Sequence, residues 1–171
     1  MSTLLLAPLL TEHVLWAPPS GSGGSVDRSS VLRDFEPPPE PWAAGHRGVD
    51  WALQDGRVLA PAAGTVRFVG DVAGRPVITV AHTNGMLSSL EPVVAAEGLA
   101  VGDRVDTGDQ LGTVDADVHH CETRCVHWGV RIPDGWIVEG TAWDRYVDPL
   151  MLLGWTGPSV LWPLEGDPPA T

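Results

Sequence analysis

The stretch VLAPAAGTVRFVG, residues 58–70, decides the fold class of this 171-residue chain. Apolar residues alternate there with small or polar ones, which is the pattern of a strand with one buried face. Similar segments follow at residues 76–82, PVITVAH, and 110–114, QLGTV, each separated from the last by glycine-containing turns. The sequence therefore predicts a core of short strands between Val58 and Val114.

The composition favours strands along the rest of the chain as well. The 20 glycines and 16 prolines interrupt it too often for a long amphipathic helix. VHWGVRI, residues 126–132, predicts one more strand, and DPLMLL, residues 148–153, a short closing helical turn. We therefore expect an all-β protein built as a compact antiparallel sheet.

Three regions follow from the local composition. Residues 18–30 are rich in glycine, serine and proline, which favours a linker or loop. We expect a flexible N-terminal segment and linker at 1–30, one β domain at 31–153 and a proline-rich tail at 154–171. A domain of this size can bury its own core, and we expect a monomer.

The charge of the chain excludes several partners. Its formal net charge is −12, and all ten basic residues are arginine. An acidic surface without a basic stripe argues against binding nucleic acid or an anionic membrane. The apolar run at residues 1–10 lacks a positive n-region and is too short to span a bilayer, so we expect neither an intact signal peptide nor a transmembrane segment.

A metal site is the main functional signal. GHRGVD, residues 45–50, separates His46 from Asp50 by a turn-permitting glycine, so that an imidazole and a carboxylate can converge on one ion. His127 lies in a predicted strand whose alternation turns it to one face, where it can meet the other two. Two histidines and one carboxylate are typical of catalytic zinc, which leaves one coordination position for water.

Cys121 and Cys125 have three interpretations: a disulfide, a pair of metal ligands, or two inert thiols. The disulfide is favoured because a four-cysteine or Cys2His2 zinc module needs a second ligand pair at matching spacing.

The motifs together resemble the zinc metallopeptidases of family M23, the lysostaphin-like or LytM-like endopeptidases of bacterial cell walls. The resemblance covers about residues 31–153. The family's HxGxD motif corresponds to His46, Gly48 and Asp50, and the second histidine of its HxH motif to His127. The resemblance implies a compact antiparallel sheet and barrel-sandwich hybrid of the lysostaphin-like type, with bound zinc. It also implies endopeptidase activity on peptidoglycan peptides, in an extracellular or cell-envelope location.

Two positions depart from the family pattern. Cys125 stands where the first histidine of HxH is a catalytic group, and LEPV, residues 90–93, stands where a YxHL-like segment supplies a second catalytic histidine. Candidate replacements are Glu91 as a carboxylate base and His119 or His120, with His120 preferred. The chain resembles an M23 subset with an HC…CxHWG signature, which implies that Cys121 and Cys125 form a disulfide.

The sequence also bears on two alternatives to an active peptidase. One is a catalytically weak or inactive LytM-like module that binds zinc, and docks on cell wall or regulates another hydrolase. The other is a biotinyl or lipoyl carrier domain, which the absence of a modifiable lysine excludes. His82 is interpreted as a structural hydrogen-bonding residue and His13 as a solvated one, so neither joins the predicted site.

Overall fold

The computed structural model describes residues 14–20, 28–118 and 120–155, and its regular secondary structure is almost entirely β-strand. The 3₁₀ turn Arg28–Ser30 comes directly before the first strand. The strands and the one helix are β1 Val31–Arg33, β2 Val49–Ala52, β3 Arg57–Leu59, β4 Gly64–Val72, β5 Arg75–His82, β6 Leu87–Glu91, β7 Val93–Ala95, β8 Arg104–Val105, β9 Gln110–Val114, β10 Cys125–Val138, β11 Thr141–Val147 and α1 Pro149–Leu152.

Two antiparallel sheets organise these strands. The larger has eight strands in the order β1-β2-β10-β6-β5-β4-β8, with β11 paired to β10, and the smaller has the order β3-β9-β7. All pairings are antiparallel. The prediction of an all-β antiparallel fold is confirmed.

The central strand β10 shows the alternation that the sequence predicts. Val126, Trp128 and Val130 are fully buried in the core, whereas His127 points to the opposite face. The same period in β2 buries Val49 and Trp51 in the core and turns Asp50 the other way. One sheet face therefore holds the core, and the other presents polar side chains.

The hairpin formed by β10 and β11 was not predicted. Its two-residue turn consists of Glu139 and Gly140, both with positive φ, between the paired residues Val138 and Thr141. Asn-Gly or Asp-Gly is the usual sequence signal of such a turn, and Glu-Gly resembles it only weakly. Pro133 and Gly135 inside β10 further obscure the strand pattern, and the register is irregular between Ile132 and Trp136.

Part of the predicted flexible segment at 1–30 packs on the domain. Ala17 donates its backbone N–H to Pro61, and Leu59 donates to Pro19. The Trp16 ring lies 4.7 Å from that of His82, and Trp51 Nε1 donates to Ser20. The indole of Trp16 thus buries apolar area that outweighs the cost of ordering a short Pro-rich segment. The domain boundaries themselves stay predictions.

Candidate metal centre

Three elements carry the predicted ligands to one place. Asp50 and His127 are directly opposite each other in the β2–β10 ladder. His46 lies just before β2, where its backbone pairs with Glu36 in an isolated bridge, with N···O distances of 2.9 and 3.0 Å. Paired strand residues have Cβ atoms about 5 Å apart, so these side chains converge.

The carboxylate of Asp50 is the centre of the cluster. Its Oδ1 lies 3.0 Å from His46 Nε2 and 2.8 Å from His127 Nδ1. It also lies 2.9 Å from His120 Nε2. One ligand atom from each of these four residues lies within 4.8 Å of the other three. The structure thus adds His120 to the predicted triad.

The tautomer of His46 shows that the cluster suits a cation. His46 Nδ1 lies 2.6 Å from the backbone carbonyl of Asp34, which only accepts, so Nδ1 carries the proton. In the neutral ring Nε2 then has a lone pair, and it is aimed at a carboxylate oxygen. A cation between the two atoms would remove that repulsion, since imidazole nitrogen and carboxylate oxygen are both usual zinc ligands. A backbone carbonyl behind a metal-binding histidine is a common arrangement.

The electrostatics agree with a site for positive charge. Burial acts to raise the pKa of Asp50, but hydrogen bonds from His120 and His127 outweigh it and hold that pKa well below its usual range. The hydrogen bond to Asp50 raises the pKa of His120, against the opposing effect of burial. Asp50 is therefore ionised at neutral pH and available as a ligand.

Gly48 makes the close packing of this site possible. A Cβ at this position would meet the carbonyl oxygen of Trp128, and would lie 2.7 Å from His127 Nε2 and 2.8 Å from the Cα of Gly129. The glycine of the HxGxD motif is thus required because β10 passes directly beside it.

Cys121 and Cys125 form a disulfide, with Cα atoms 6.1 Å apart. Cys125 occupies the first pairing position of β10, opposite Ala52. The disulfide closes a loop that begins beside His120, so the imidazole returns to the position next to Asp50. His120 is the most exposed of the four side chains, at 19% against 14% for His127 and 6% for the other two.

Glu91 lies on the other side of His127 and outside the donor cluster. The two residues are paired in the β6–β10 ladder. The Glu91 carboxylate is 19% exposed and lies 3.4 Å from Nη1 of Arg75. Glu91, His46 and His127 line a groove of about 1010 Å³ that crosses the polar face of the large sheet. Asp50 and His120 instead border a smaller hollow on the disulfide side.

His82 is the other histidine among the described residues, and it lies outside the site. His82 Nδ1 lies 2.9 Å from the carbonyl of Ala63, and its Nε2 lies 2.8 Å from Ser88 Oγ, as expected of a structural residue. His13 and His119 lie outside the described residues. Of the tryptophans near the motifs, Trp51 and Trp128 are in the core, whereas Trp42 is exposed and packs on Trp143 at 5.4 Å.

Sequence reasoning missed two parts of the site. The carbonyl of Asp34 is a backbone group with no sequence signal. The four arginines of the groove, Arg47, Arg67, Arg75 and Arg131, are scattered along the chain, and only the strand order brings them together.

The fold and the cluster together define the class of protein. It is an antiparallel β-sheet protein in which histidine and aspartate side chains form a candidate metal site beside an open groove. The model of Peptidase family M23 matches residues 44–144, and the chain belongs to this family. The narrower subset with the HC…CxHWG signature stays a prediction.

The chain is also similar to uncharacterised proteins and to solved structures with this fold. An uncharacterised protein of Mycobacterium tuberculosis is 40% identical over 140 residues, which cover 81% of this chain and 53% of the relative. The chain thus spans about half the length of the curated relatives it matches. A zinc-containing peptidase of Vibrio cholerae has a similar fold, with TM-score 0.53, 19% identity and coverage of 73% of this chain and 37% of that one.

The catalytic domain of the antimicrobial peptidase lysostaphin from Staphylococcus simulans also has this fold. It superposes with TM-score 0.53 and 18% identity, over 71% of this chain and 89% of that domain. Among the described residues, no helix is long and apolar enough to cross a membrane.

Proposed function

We propose that the chain is a zinc metalloendopeptidase that cleaves peptides of peptidoglycan. The observation that carries the proposal is the cluster around Asp50, in which the fixed tautomer of His46 aims a lone pair at a carboxylate. Membership of a peptidase family and an open groove beside the cluster support it. The disulfide supports an oxidising location outside the cytoplasm.

His46, Asp50 and His127 are the residues that would hold zinc, since imidazole nitrogen and carboxylate oxygen are its usual ligands. Zinc bound there would act as a Lewis acid on a substrate carbonyl and would make water a stronger acid. The carbonyl of Asp34 keeps His46 in the ligating tautomer, and the β2–β10 ladder keeps Asp50 and His127 in register.

His120 and Glu91 are the candidates for proton transfer. Nε2 of His120 is the atom that would take up a proton and return it to the leaving amine. It lies beside Asp50 because the disulfide starts at the next residue. Glu91, paired with His127 and facing the groove, would orient the peptide or accept a proton in place of the family's second histidine.

A second candidate function follows from the position of His120. Four donors within 4.8 Å can fill all four positions of a zinc ion, and a closed four-ligand site is structural. In that case the domain would be an inactive, zinc-binding LytM-like module that docks on cell wall or regulates another hydrolase.

One set of variants separates the two functions. Zinc-loaded wild type, His127→Ala, His120→Ala and Glu91→Gln are incubated with peptidoglycan and with stem and glycyl peptides, and new amino termini are counted by mass spectrometry. Zinc content and zinc affinity are measured in parallel. Glu122→Gln, an exposed change in the same loop, is the matched control.

For the peptidase, wild type and Glu122→Gln cut peptides and His127→Ala loses zinc. His120→Ala keeps zinc but loses about 100-fold to 10,000-fold in turnover, the usual contribution of a general acid or base. If wild type holds zinc without cutting any substrate and His120→Ala loses the metal, the binding module replaces the peptidase.

A further inference from the structure

The groove beside the metal centre carries positive charge in an otherwise acidic protein. Four arginines line it, Arg47, Arg67, Arg75 and Arg131, against two carboxylates, Glu91 and Asp144. The chain as a whole has a net charge of −12. Two-fifths of its ten basic residues thus line one groove, where they outnumber the acidic residues, and a local excess of one sign of charge attracts ligands of the other.

Not all four guanidinium groups are available to a ligand. Nη2 of Arg47 donates to the carbonyls of Pro41 and Ala43, and the guanidinium lies over the ring of Tyr146 at 5.5 Å. Arg47 therefore fastens the loop that precedes His46, and we assign it no part in binding.

The other three arginines keep donors to spare. Arg67 is exposed, and its side chain has no hydrogen bond or ion pair among the described residues. Arg75 has one long contact, 3.4 Å from Glu91. Nε of Arg131 lies 2.8 Å from Asp144, but the two are not aligned for a hydrogen bond, so this buried N–H lacks an acceptor in the described part of the chain.

A β-bulge turns Arg67 into the groove. The register between β4 and β5 shifts between Val66 and Phe68, which leaves Arg67 as the extra residue. Val66 and Val69 pack in or against the core, and Arg67 and Phe68 both line the groove. A bulge re-aims a side chain at the cost of a ladder hydrogen bond, and here it adds a cation to the groove wall.

We infer that the groove recognises a free carboxylate on the peptide substrate, through the spare donors of Arg67, Arg75 and Arg131. Guanidinium groups bind carboxylates through paired, charge-assisted hydrogen bonds. The exposed apolar residues Phe68 and Val72 on the same wall would contact the aliphatic part of the acidic side chain. The inference rests on the proposed function, because it takes the groove beside the zinc ligands as the substrate site.

Binding measured apart from turnover tests the inference. The probes are fluorescent glycine pentapeptides, acetylated and C-terminally amidated, in which glutamate or glutamine replaces glycine at each position in turn. Anisotropy is recorded with the zinc-loaded protein at low and high salt. The variants are Arg67→Gln, Arg75→Gln and their double mutant, and Arg104→Gln, an exposed arginine outside the groove, is the control.

We expect at least one glutamate peptide to bind about tenfold more tightly than its glutamine partner at low salt. That ratio should fall towards one in the double mutant and at high salt, and should persist in Arg104→Gln. Equal affinities within every pair, no binding at millimolar peptide, or a ratio that survives the double mutation would overturn the inference. Carboxylate-dependent binding without peptide cleavage would overturn the proposed peptidase activity and leave this inference standing. Peptide cleavage without carboxylate-dependent binding would overturn this inference and leave the peptidase activity standing.

Discussion

Gly48 is the position at which a single added methyl group would disturb the metal centre most directly. We expect Gly48→Ala to reduce zinc affinity and to lower the free energy of unfolding by about 1–3 kcal/mol, because the new Cβ would push on β10 and on the ring of His127. Zinc titration and denaturant unfolding measure the two effects.

Gly70→Ala is the matched control for this substitution. A Cβ there would meet only the end of the Phe68 ring, at 3.1 Å, and that side chain can move. An unchanged zinc affinity in Gly48→Ala would contradict the expectation that a Cβ at this position displaces His127.

His82 predicts a pH dependence of stability outside the metal centre. Burial lowers the pKa of His82 from its ordinary 6.5, although the hydrogen bond to Ala63 opposes the shift. Above pH 6.5 the ring is neutral in the folded and the unfolded chain, and its full contribution to the free energy of unfolding is present. Below pH 6.5 the unfolded chain binds the proton first, so this contribution is lost as the pH falls towards the folded-state pKa.

The measurement is the difference in unfolding free energy between wild type and His82→Gln from pH 8 to pH 5, about one and a half units on either side of the ordinary value. We expect the advantage of the wild type to shrink on the acid side. A constant difference across this range would show that His82 does not titrate differently on folding.

At the scale of elements, the disulfide loop predicts that reduction of Cys121 and Cys125 alters the site around Asp50. Replacing Cys121 and Cys125 by serine should cost about 2 kcal/mol of stability, the chain-entropy value for a loop this short. It should also reduce turnover, because His120 would lose the restraint that holds it beside Asp50.

The loss of turnover on reduction should be absent in His120→Ala, which has no imidazole left to displace. An equal loss on reduction in wild type and His120→Ala would mean that the loop acts by another route. Peptide cleavage with and without a reducing agent gives the comparison.

The turn between β10 and β11 offers a stabilising change. Glu139 has a φ of 48°, in a region that glutamate rarely adopts and asparagine tolerates well. Glu139→Asn should therefore raise the unfolding free energy by about 0.5–1 kcal/mol, measured in denaturant. A decrease in the free energy of unfolding would show that the Glu139 side chain stabilises the fold by more than asparagine gains from its backbone preference at this turn.

At the scale of the whole molecule, zinc should stabilise the fold. The proposed ligands His46, Asp50 and His127 come from the segment before β2, from β2 and from β10, so zinc should bind only when these three parts of the chain are folded together. Free zinc at about 100 times its Kd should add about 2.7 kcal/mol, which raises the Tm by about 5–10 °C. Calorimetry with zinc and with a chelator measures the shift, and Asp50→Asn should abolish it.

The sequence predicts the all-β fold and the convergence of His46, Asp50 and His127 for definite physical reasons, and their role as metal ligands stays a prediction. Strand alternation around His127 and the HxGxD spacing are local patterns, and each survives in the structure. The sequence pattern does not predict β1, β2, β7 and β8, which have two to four residues each. It also does not predict β6, which is half polar, or β11, which follows an atypical turn. The groove arginines meet only through the strand order, which no local pattern encodes.

The fully buried side chains of Trp51 and Trp128 provide an intrinsic fluorescence signal close to the metal centre. Trp51 and Trp128 each adjoin a ligand in sequence, Asp50 and His127, and lie on the opposite face of the same strands. An indole reports small changes in its packing through its emission. Loading of the metal centre should therefore be visible in the intrinsic fluorescence of the unlabelled protein, with no dye and no substrate.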